Sequence, residues 1–497
     1  MLTVRCAKAL LVIQLLTPGA HGVLSSQSTS QPKYEVRAVW ITTVNGLDWP
    51  SSHDAAEQKR SLREMVEKLH AAHFNTIFFQ VRGRGDALFP SNYEPWAEVL
   101  TGVPGKDPGW DPLQFIIDEA HTRAMEIHAW FNTFYVKSGK GDEPSTRPRH
   151  VTAQHPEWIN VVEGGSWLDP GIPAVREYVL RVALDIVRRY DLDGIQFDFM
   201  RYPGNLFDDD VPFKRYGGRL TRDDWRRENV NAFIRAFYDS AIAIKPILKI
   251  GSTPIGIYRN AGTMKGRQGY DELFQDARGW LKEKANDYVV PQVYWSLGNQ
   301  AGDPDFREVT KDWTSHAYGR HVIIGVAAYK PDVNKHLSDL IDVSRSLQAQ
   351  GNSFFRYGNI KDVLALGGRY RYPAVIPPMP WKDSTAPNPP ADLVVAGADN
   401  GAFELHWTAP SPASDGDRAA YYNVYRSTGT SIDMNDPANL IAIIPSTELH
   451  YSDTVRHVGR PHVAYAVTSS DRGHNESKPA PVQRVLIPQV AQLAQEF

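Results

Sequence analysis

The chain has 497 residues and a formal net charge of -3 at pH 7. A single hydrophobic core seldom extends over that length, so we expect one large domain and one smaller domain. The near-neutral charge gives no long-range field that would gather nucleic acid or an anionic membrane, and nucleic-acid binding is not expected. The 13 Trp and 22 Tyr residues suit sugar stacking and barrel cores equally well, so their number alone does not indicate a sugar-binding protein.

Residues 1–22 have the layout of a secretory signal peptide. Arg5 and Lys8 precede the apolar run 9–16, and Pro, Gly and small residues follow it. The run is far shorter than the roughly 20 residues of a membrane span, and no later segment approaches that length. We therefore expect a protein that is periplasmic or secreted, without a transmembrane segment. Cys6 would leave with the signal peptide, so the mature chain would carry no thiol.

From residue 34 onward, short apolar runs alternate with stretches of helical spacing. Residues 54–72 show that spacing, and Asp111 followed by Pro112 is a typical helix start. Eight βα units over roughly 350 residues predict a closed (β/α)8 barrel of the TIM type over 34–380, with an open doubly wound sheet as the alternative. The predicted strands are 36–42, 76–81, 126–131, 194–198, 249–253, 288–293, 321–327 and 352–355.

The helical period disappears in the last quarter of the chain. Residues 381–390 belong to a proline-rich stretch and are interpreted as a semi-rigid linker. Short alternating segments follow and predict an all-β sandwich over 391–487. These segments are 403–407, 422–425 and 463–467.

The fourth predicted strand carries the first candidate for a catalytic residue. Alternation places Gln196 and Asp198 on the face opposite to Ile195 and Phe197. In a barrel the reactive groups lie at the C-terminal ends of the strands, and a carboxylate buried there is costly unless it is used. Asp198 is therefore the leading catalytic candidate. The alternative is an aspartate held by Arg201 or by a helix cap.

Other strand ends combine planar amides, a guanidinium and aromatic rings. Such groups suit a polyhydroxylated substrate, because hydroxyl pairs accept forked hydrogen bonds and the C–H faces of sugars stack on rings. Core packing explains any one of these residues equally well, and it is their convergence that favours substrate binding. The pairs are Gln80 with Arg82, Trp130 with Asn132, and Gln292 with Tyr294.

Cleavage of a glycosidic bond usually needs a second carboxyl group. Asp86 is the second catalytic candidate, and Asp169 is a further loop carboxylate expected near the substrate. Glu94 is a weaker candidate than either. The alternative for each of these residues is that its side chain caps a loop. The chain has no His-Glu-x-x-His pair, Gly-rich phosphate loop or Gly-x-Ser-x-Gly elbow, so zinc and serine hydrolysis lose support. No metal and no other cofactor is expected, although a site combining His128 with distant carboxylates stays a minor alternative.

Several strings of the sequence resemble the bacterial glycosyl-hydrolase-like 10 family, in family order from about residue 34 to 380. The resemblance implies a barrel glycosidase of the cell envelope that acts on glycan chains, with peptidoglycan strands as the expected polysaccharide. It adds Trp40, Arg201, Tyr202 and Trp295 to the substrate-binding candidates. The strings are Glu-Val-Arg-Ala-Val-Trp at 35–40, Phe-Gln-Val-Arg at 79–82, Asp-Ala-Leu-Phe-Pro-Ser at 86–91, Asp-Gly-Ile-Gln-Phe-Asp at 193–198 and Pro-Gln-Val-Tyr-Trp at 291–295.

Two residues depart from related patterns. Some relatives carry a second aspartate where this chain has Phe199, and Met200 stands where chitinase-like barrels have a glutamate acid. The catalytic roles therefore stay open, and a non-catalytic glycan-binding barrel protein is the main alternative. The C-terminal tail resembles a fibronectin type III module, which implies a spacer or a docking surface for an envelope protein or glycan. A scaffold that works through this module alone is the third hypothesis.

Overall fold

The computed structural model describes residues 31–138, 145–298, 302–364, 366–397, 402–429, 431–455 and 462–486. The predicted signal peptide, 1–22, lies outside these ranges. Within them, no helix combines the length and the apolar character needed to cross a membrane.

Eight parallel strands form a sheet that closes on itself. The first strand pairs with the second and with the last, and the sixth consists of two short pieces that both pair with the seventh. The predicted strands agree with these bounds to within one residue, which confirms the barrel. The strands are β1 Val36–Ile41, β2 Thr76–Arg82, β3 Glu126–Asn132, β4 Gly194–Asp198, β5 Lys249–Ser252, β6 Tyr288–Val289 with Gln292–Val293, β7 His321–Val326 and β8 Gly351–Phe354.

Helices surround the barrel, and local sequence fixes where several of them begin. The Asp54 side chain accepts a hydrogen bond from the N–H of Glu57. Asp111 directly precedes Pro112, the first residue of its helix, and its side chain accepts the N–H groups of Leu113 and Gln114. The helices are Ala55–Ala71, Pro112–His121, Val151–Gln154, Pro173–Arg189, Asp210–Tyr216, Arg222–Ile244, Gly269–Glu272, Ala277–Lys282, Phe306–Thr314, Pro331–Asn334, Leu337–Ser346 and Tyr357–Ile360; the 3-10 turns are Val44–Gly46, Glu98–Leu100, Pro156–Trp158, Leu366–Gly368 and Pro437–Asn439.

The barrel has two apolar layers. A large buried cluster fills the space between the strands and the surrounding helices. A smaller cluster fills the barrel interior and is dominated by large rings, among them Trp40, Phe78, Trp130 and Tyr288. Because Trp40 and Trp130 also face the open end of the barrel, the inner layer forms the floor of the candidate site.

A three-stranded antiparallel sheet follows β3, and the sequence analysis did not predict it. Its strands are Tyr135–Ser138, Ile159–Val162 and Gly165–Leu168. All three strands are short, and Ile159–Val162 is largely half-buried. The alternation of apolar and polar residues is therefore weak in this segment. The sheet matters because it brings Tyr135 and Trp167 beside Phe199, with ring centroids 5.0 and 5.7 Å away.

The C-terminal residues form two antiparallel sheets of three and four strands. A buried cluster lies between them and includes Leu405, Trp407, Tyr422 and Tyr465. The three-stranded sheet contains Ala391–Gly397, Ala402–Thr408 and His450–Thr454, and the four-stranded sheet contains Leu440–Pro445, Tyr421–Ser427, His462–Ser470 and Gln483–Leu486.

The sandwich packs on the N-terminal end of the barrel through a loop at 471–475. His474 Nε2 lies 2.6 Å from Glu126 Oε1 at the start of β3, and Arg472 pairs with Asp193 at 2.9 Å. Glu126 also forms an ion pair with Lys249 at the start of β5. Glu126, Lys249 and His474 are all buried. The charged network of the barrel end is therefore completed by the sandwich.

Candidate active site

A cavity of about 280 Å³ lies at the C-terminal ends of the barrel strands, where active sites of such barrels occur. We call it the catalytic cavity. It brings together eight of the predicted site residues, Trp40, Gln80, Trp130, Asn132, Asp198, Arg201, Gln292 and Tyr294.

Asp198 is the last residue of β4 and is 9% exposed. Among the described residues that line the catalytic cavity, it is the only carboxylic acid. Its Oδ1 accepts the backbone N–H of Phe199 at 2.7 Å. Burial raises the pKa of Asp198 to about 6, against the opposing effects of that N–H and of Arg201. The carboxyl group can therefore hold or release a proton close to neutral pH.

Arg201 and Phe199 form one wall of the catalytic cavity. The Arg201 guanidinium lies 5.1 Å from the ring centre of Phe199 and 5.2 Å from that of Trp167. Burial lowers the pKa of Arg201 to about 10, so the group keeps its charge at neutral pH. The ring of Phe199 stacks on Tyr135. An aromatic wall thus lines the catalytic cavity directly after Asp198.

The amide side chains hold the loops around the catalytic cavity. Gln80 Oε1 accepts the N–H groups of Thr43 and Val44 at 3.0 and 2.9 Å. Asn132 Nδ2 donates to the carbonyl of Gly83 at 2.8 Å, whereas its Oδ1 is buried without a partner among the described residues. The indole N–H of Trp130 favours the ionised form of Asp198 but makes no hydrogen bond of ordinary geometry with a described residue. One buried acceptor and one buried donor at the wall of the catalytic cavity therefore lack a partner of ordinary geometry among the described residues.

Asp86 lines a second, larger cavity of about 760 Å³, which we call the Asp86 cavity. Val44, Gly83 and Arg84 line both cavities, so the two adjoin. The Asp86 carboxylate accepts the backbone N–H of Arg84 at 2.9 Å. Burial raises its pKa, while His150 and Arg84 act in the opposite direction. The two predicted catalytic carboxyl groups thus face neighbouring parts of one depression.

Arg82 lines neither cavity, contrary to the prediction. The pairing of β2 with β3 shifts register between Gln80 and Arg82, which breaks the alternation on which the prediction relied. The side chain is fully buried and donates to the Glu94 carboxylate from Nε, at 2.9 and 2.8 Å, and from Nη2, at 2.6 Å. It also packs on the Phe131 ring, with its guanidinium 4.8 Å from the ring centre. Arg82 and Glu94 therefore hold the loop to the barrel rather than facing substrate.

Three further predicted residues also lie outside both cavities. Asp169 is buried and accepts the N–H of Gly171 at 2.7 Å, and burial raises its pKa to about 7. Tyr202 is fully buried and accepts a hydrogen bond from Asn229 at 3.1 Å. Trp295 packs beside Gly256. Asp169 and Tyr202 are enclosed by protein, whereas Trp295 is partly buried. His128 contacts Glu126 and Tyr288 and belongs to no potential metal-binding cluster within the described ranges.

Sequence reasoning missed two aromatic residues of the catalytic cavity. Phe355 follows β8 directly, and its ring lies within 5.9 to 6.2 Å of those of Trp40, Trp130 and Tyr294. Its position just after a strand was a usable signal, because such residues face the open end of the barrel. Tyr135 comes from the unpredicted sheet and could not be placed by period alone.

A (β/α)8 barrel whose open end combines a buried carboxyl group, planar amides and aromatic rings suits a glycoside hydrolase. The comparisons with known proteins agree. The family model for glycosyl hydrolase-like 10 matches residues 35–339. The chain belongs to this family.

Two relatives are similar over most of their length. The glycosyl hydrolase YngK of Bacillus subtilis (strain 168) is 34% identical over 487 residues, covering 91% of this chain and 93% of the relative. The glycosyl hydrolase DigH of Escherichia coli (strain K12) is 35% identical over 350 residues, covering 64% of this chain and 78% of the relative. These similarities show that the protein is a glycoside hydrolase.

Among solved structures, the chain is similar to the PgaB (BpsB) glycoside hydrolase domain from Bordetella bronchiseptica. The TM-score is 0.48 at 12% identity, covering 68% of this chain and 98% of that domain. A similarity at this level carries no argument about the substrate.

Proposed function

We propose that the protein is exported and cleaves glycosidic bonds in the glycan strands of peptidoglycan, with Asp198 as the proton donor. The observation that carries the proposal is the position of Asp198, the sole acid among the described residues lining the catalytic cavity. Its pKa of about 6 allows it to keep a proton near neutral pH and to give that proton to a leaving oxygen.

The shape of the site supports a polymeric substrate. Two adjoining cavities of about 280 and 760 Å³ offer room for several sugar residues. The rings of Trp130, Tyr294 and Phe355 can stack on sugar faces, and Gln292 and Asn132 can bind hydroxyl or N-acetyl groups. Peptidoglycan strands are built of N-acetylated sugars and fit this lining; the resemblance of the sequence motifs to an envelope family points to the same polymer.

The proposed reaction uses the two carboxyl groups in different ways. Asp198 protonates the glycosidic oxygen, and the N–H of Phe199 and the charge of Arg201 then stabilise the carboxylate that remains. Asp86, facing the adjoining cavity, attacks the sugar or activates a water molecule as the second carboxylate. The stacked rings of Phe199 and Tyr135 line the catalytic cavity together with Asp198.

The alternative is a glycan-binding protein that has lost turnover. Phe199 and Met200 are the residues that favour it. Met200 is fully buried in the outer apolar layer and lines neither cavity, so the position carries no acid for a chitinase-like mechanism. The two hypotheses differ in whether products form, since binding is expected under both.

For the C-terminal unit we propose a fibronectin type III identity, and for residues 1–22 a signal peptide that directs export to the periplasm or the medium. The seven strands in sheets of three and four support the first proposal. The layout of charged, apolar and small residues supports the second. The exposed face of the sandwich would be the surface for any envelope partner or glycan.

The test is incubation of residues 25–497 with peptidoglycan, with peptide-free glycan strands and with chitin, followed by mass analysis of the soluble fragments. We expect fragments from the first two substrates, and loss of at least 100-fold in rate for Asp198→Asn. Asp169→Asn is the matched control, since this aspartate is also buried with a raised pKa but lies outside both cavities. If the native protein binds glycan and releases no fragment, the binding-protein hypothesis replaces ours.

A further inference from the structure

A third depression, of about 520 Å³, is formed partly by two chain segments that also line the Asp86 cavity. We call it the arginine groove, and it is lined by Asn92, Tyr93, Pro148, Arg149, Gln154, His155, Trp158, Tyr178 and Arg181. The chain segments 93–96 and 146–150 contribute residues to both this groove and the Asp86 cavity. The groove and the Asp86 cavity are therefore built on the same two segments of the chain.

The charge of the groove has one sign. Arg149 and Arg181 are exposed, and neither forms an ion pair or a side-chain hydrogen bond with another residue in the described part of the chain. No acidic residue is present among the described residues of its lining. Of the acids that adjoin lining residues in the sequence, Glu94 binds Arg82, Glu157 contacts the lining residue His155, and Glu177 is exposed and forms no ion pair within the described residues. Two free guanidinium groups over an uncharged floor favour an anionic ligand.

The floor of the groove suits a sugar ring. Trp158 is half-exposed and stacks on His155, with ring centroids 3.7 Å apart and an interplanar angle of 10°. Glu157 holds the His155 ring through a contact of 3.1 Å to Nδ1. Tyr178 lies 5.8 Å from Trp158. A rigid aromatic platform beside guanidinium groups is the combination that binds an acidic sugar, because rings stack on C–H faces while arginine pairs with the carboxylate.

We propose that the arginine groove binds a carboxylate-bearing sugar residue of the glycan, several residues away from the bond that is cleaved. The proposal rests on the proposed function for the identity of the polymer, in which N-acetylmuramic acid carries the carboxylate. In this proposal the groove binds the glycan, and its residues contribute to substrate affinity but not to the chemical step.

The test measures binding to the Asp198→Asn protein, which holds the substrate without turning it over. The probe is a peptide-free oligomer of alternating N-acetylglucosamine and N-acetylmuramic acid, compared with the same oligomer amidated at its carboxylates. Replacing Arg149 and Arg181 by Gln should weaken binding of the acidic oligomer roughly tenfold and leave the amidated oligomer within about twofold. The matched control replaces Arg147 and Arg188 by Gln, which are exposed arginines on the same loop and helix outside the groove.

Equal losses for the two oligomers, or equal losses in the control pair, would overturn the proposal. In the active protein, Arg149→Gln with Arg181→Gln should raise KM for peptide-free strands while kcat stays within about twofold. Failure of the proposed function is a separate outcome: the native protein would then release no fragments, yet charge-selective binding would still depend on the two arginines. If the strands are cleaved and replacing both arginines changes neither binding nor KM, the proposed function stands and the proposed role of the groove is refuted.

Discussion

The backbone N–H of Phe199 donates to the carboxylate of Asp198 at 2.7 Å, from a residue whose φ is 49°. This left-handed conformation is uncommon for a bulky side chain and costs about 1 kcal/mol or more. It turns the chain directly after β4, so that the amide faces the carboxylate while the ring stacks on Tyr135. The unfavourable backbone conformation of Phe199 therefore lowers stability while it orients the carboxyl group that we propose as the proton donor.

Asp198→Asn should stabilise the protein at neutral pH. Because folding raises the pKa of Asp198 from 3.8 to about 6, the carboxyl group favours the folded state below about pH 4 and loses that contribution as the pH rises through 6. The asparagine has no such loss, so the variant should gain about 3 kcal/mol above pH 7 and little at pH 4. Thermal unfolding at pH 4, 6 and 8 measures this. If the gain in unfolding free energy did not change with pH, burial would not destabilise the ionised carboxyl group of Asp198.

Activity should fall as the pH rises past 6, because Asp198 must be protonated to act as the acid. Arg201→Gln should move this limb of the profile of kcat/KM to higher pH by about half to one unit, since the positive charge of Arg201 lowers the pKa of Asp198. Arg188→Gln is the control and should leave the profile in place. A limb with the opposite slope would instead assign Asp198 the role of a base.

Arg82→Met should damage folding more than substrate binding. The substitution leaves Glu94 buried without its ion-pair partner, which typically costs about 3 to 5 kcal/mol. The double variant Arg82→Met with Glu94→Leu should recover much of that loss, because no unpaired charge remains. Denaturant unfolding of the three proteins makes the comparison. A stable single variant with a raised KM would return Arg82 to the substrate-binding residues.

Removal of the sandwich should destabilise the barrel. Deleting residues 388–497 exposes the group of Glu126 and Lys249, which His474 completes in the full chain. His474→Ala tests the contact alone and should cost about 1 to 3 kcal/mol, since it leaves a buried carboxylate with one partner fewer. The exposed His450→Ala is the control. If the barrel without the sandwich unfolds at the same temperature as the full chain, the sandwich is an independent module.

The sequence by itself determined the strand positions and the candidate acid. Period-two runs and helical spacing depend on neighbouring residues alone, so β1 to β8 could be placed to within about one residue. The same alternation put Asp198 on the barrel side of β4, where the catalytic cavity opens. The capping aspartates at 54 and 111 were local signals of the same kind.

Only the tertiary structure decided which polar residues face the site. The register shift in β2 turned Arg82 away, the sheet after β3 brought Tyr135 in, and the enclosure of Asp169 and Tyr202 removed both from the lining. The contact of His474 with Glu126 joins residues 348 positions apart. Such features depend on how distant segments pack, and no short-range pattern encodes them, because each arises from the closure of the barrel and from what covers its two ends.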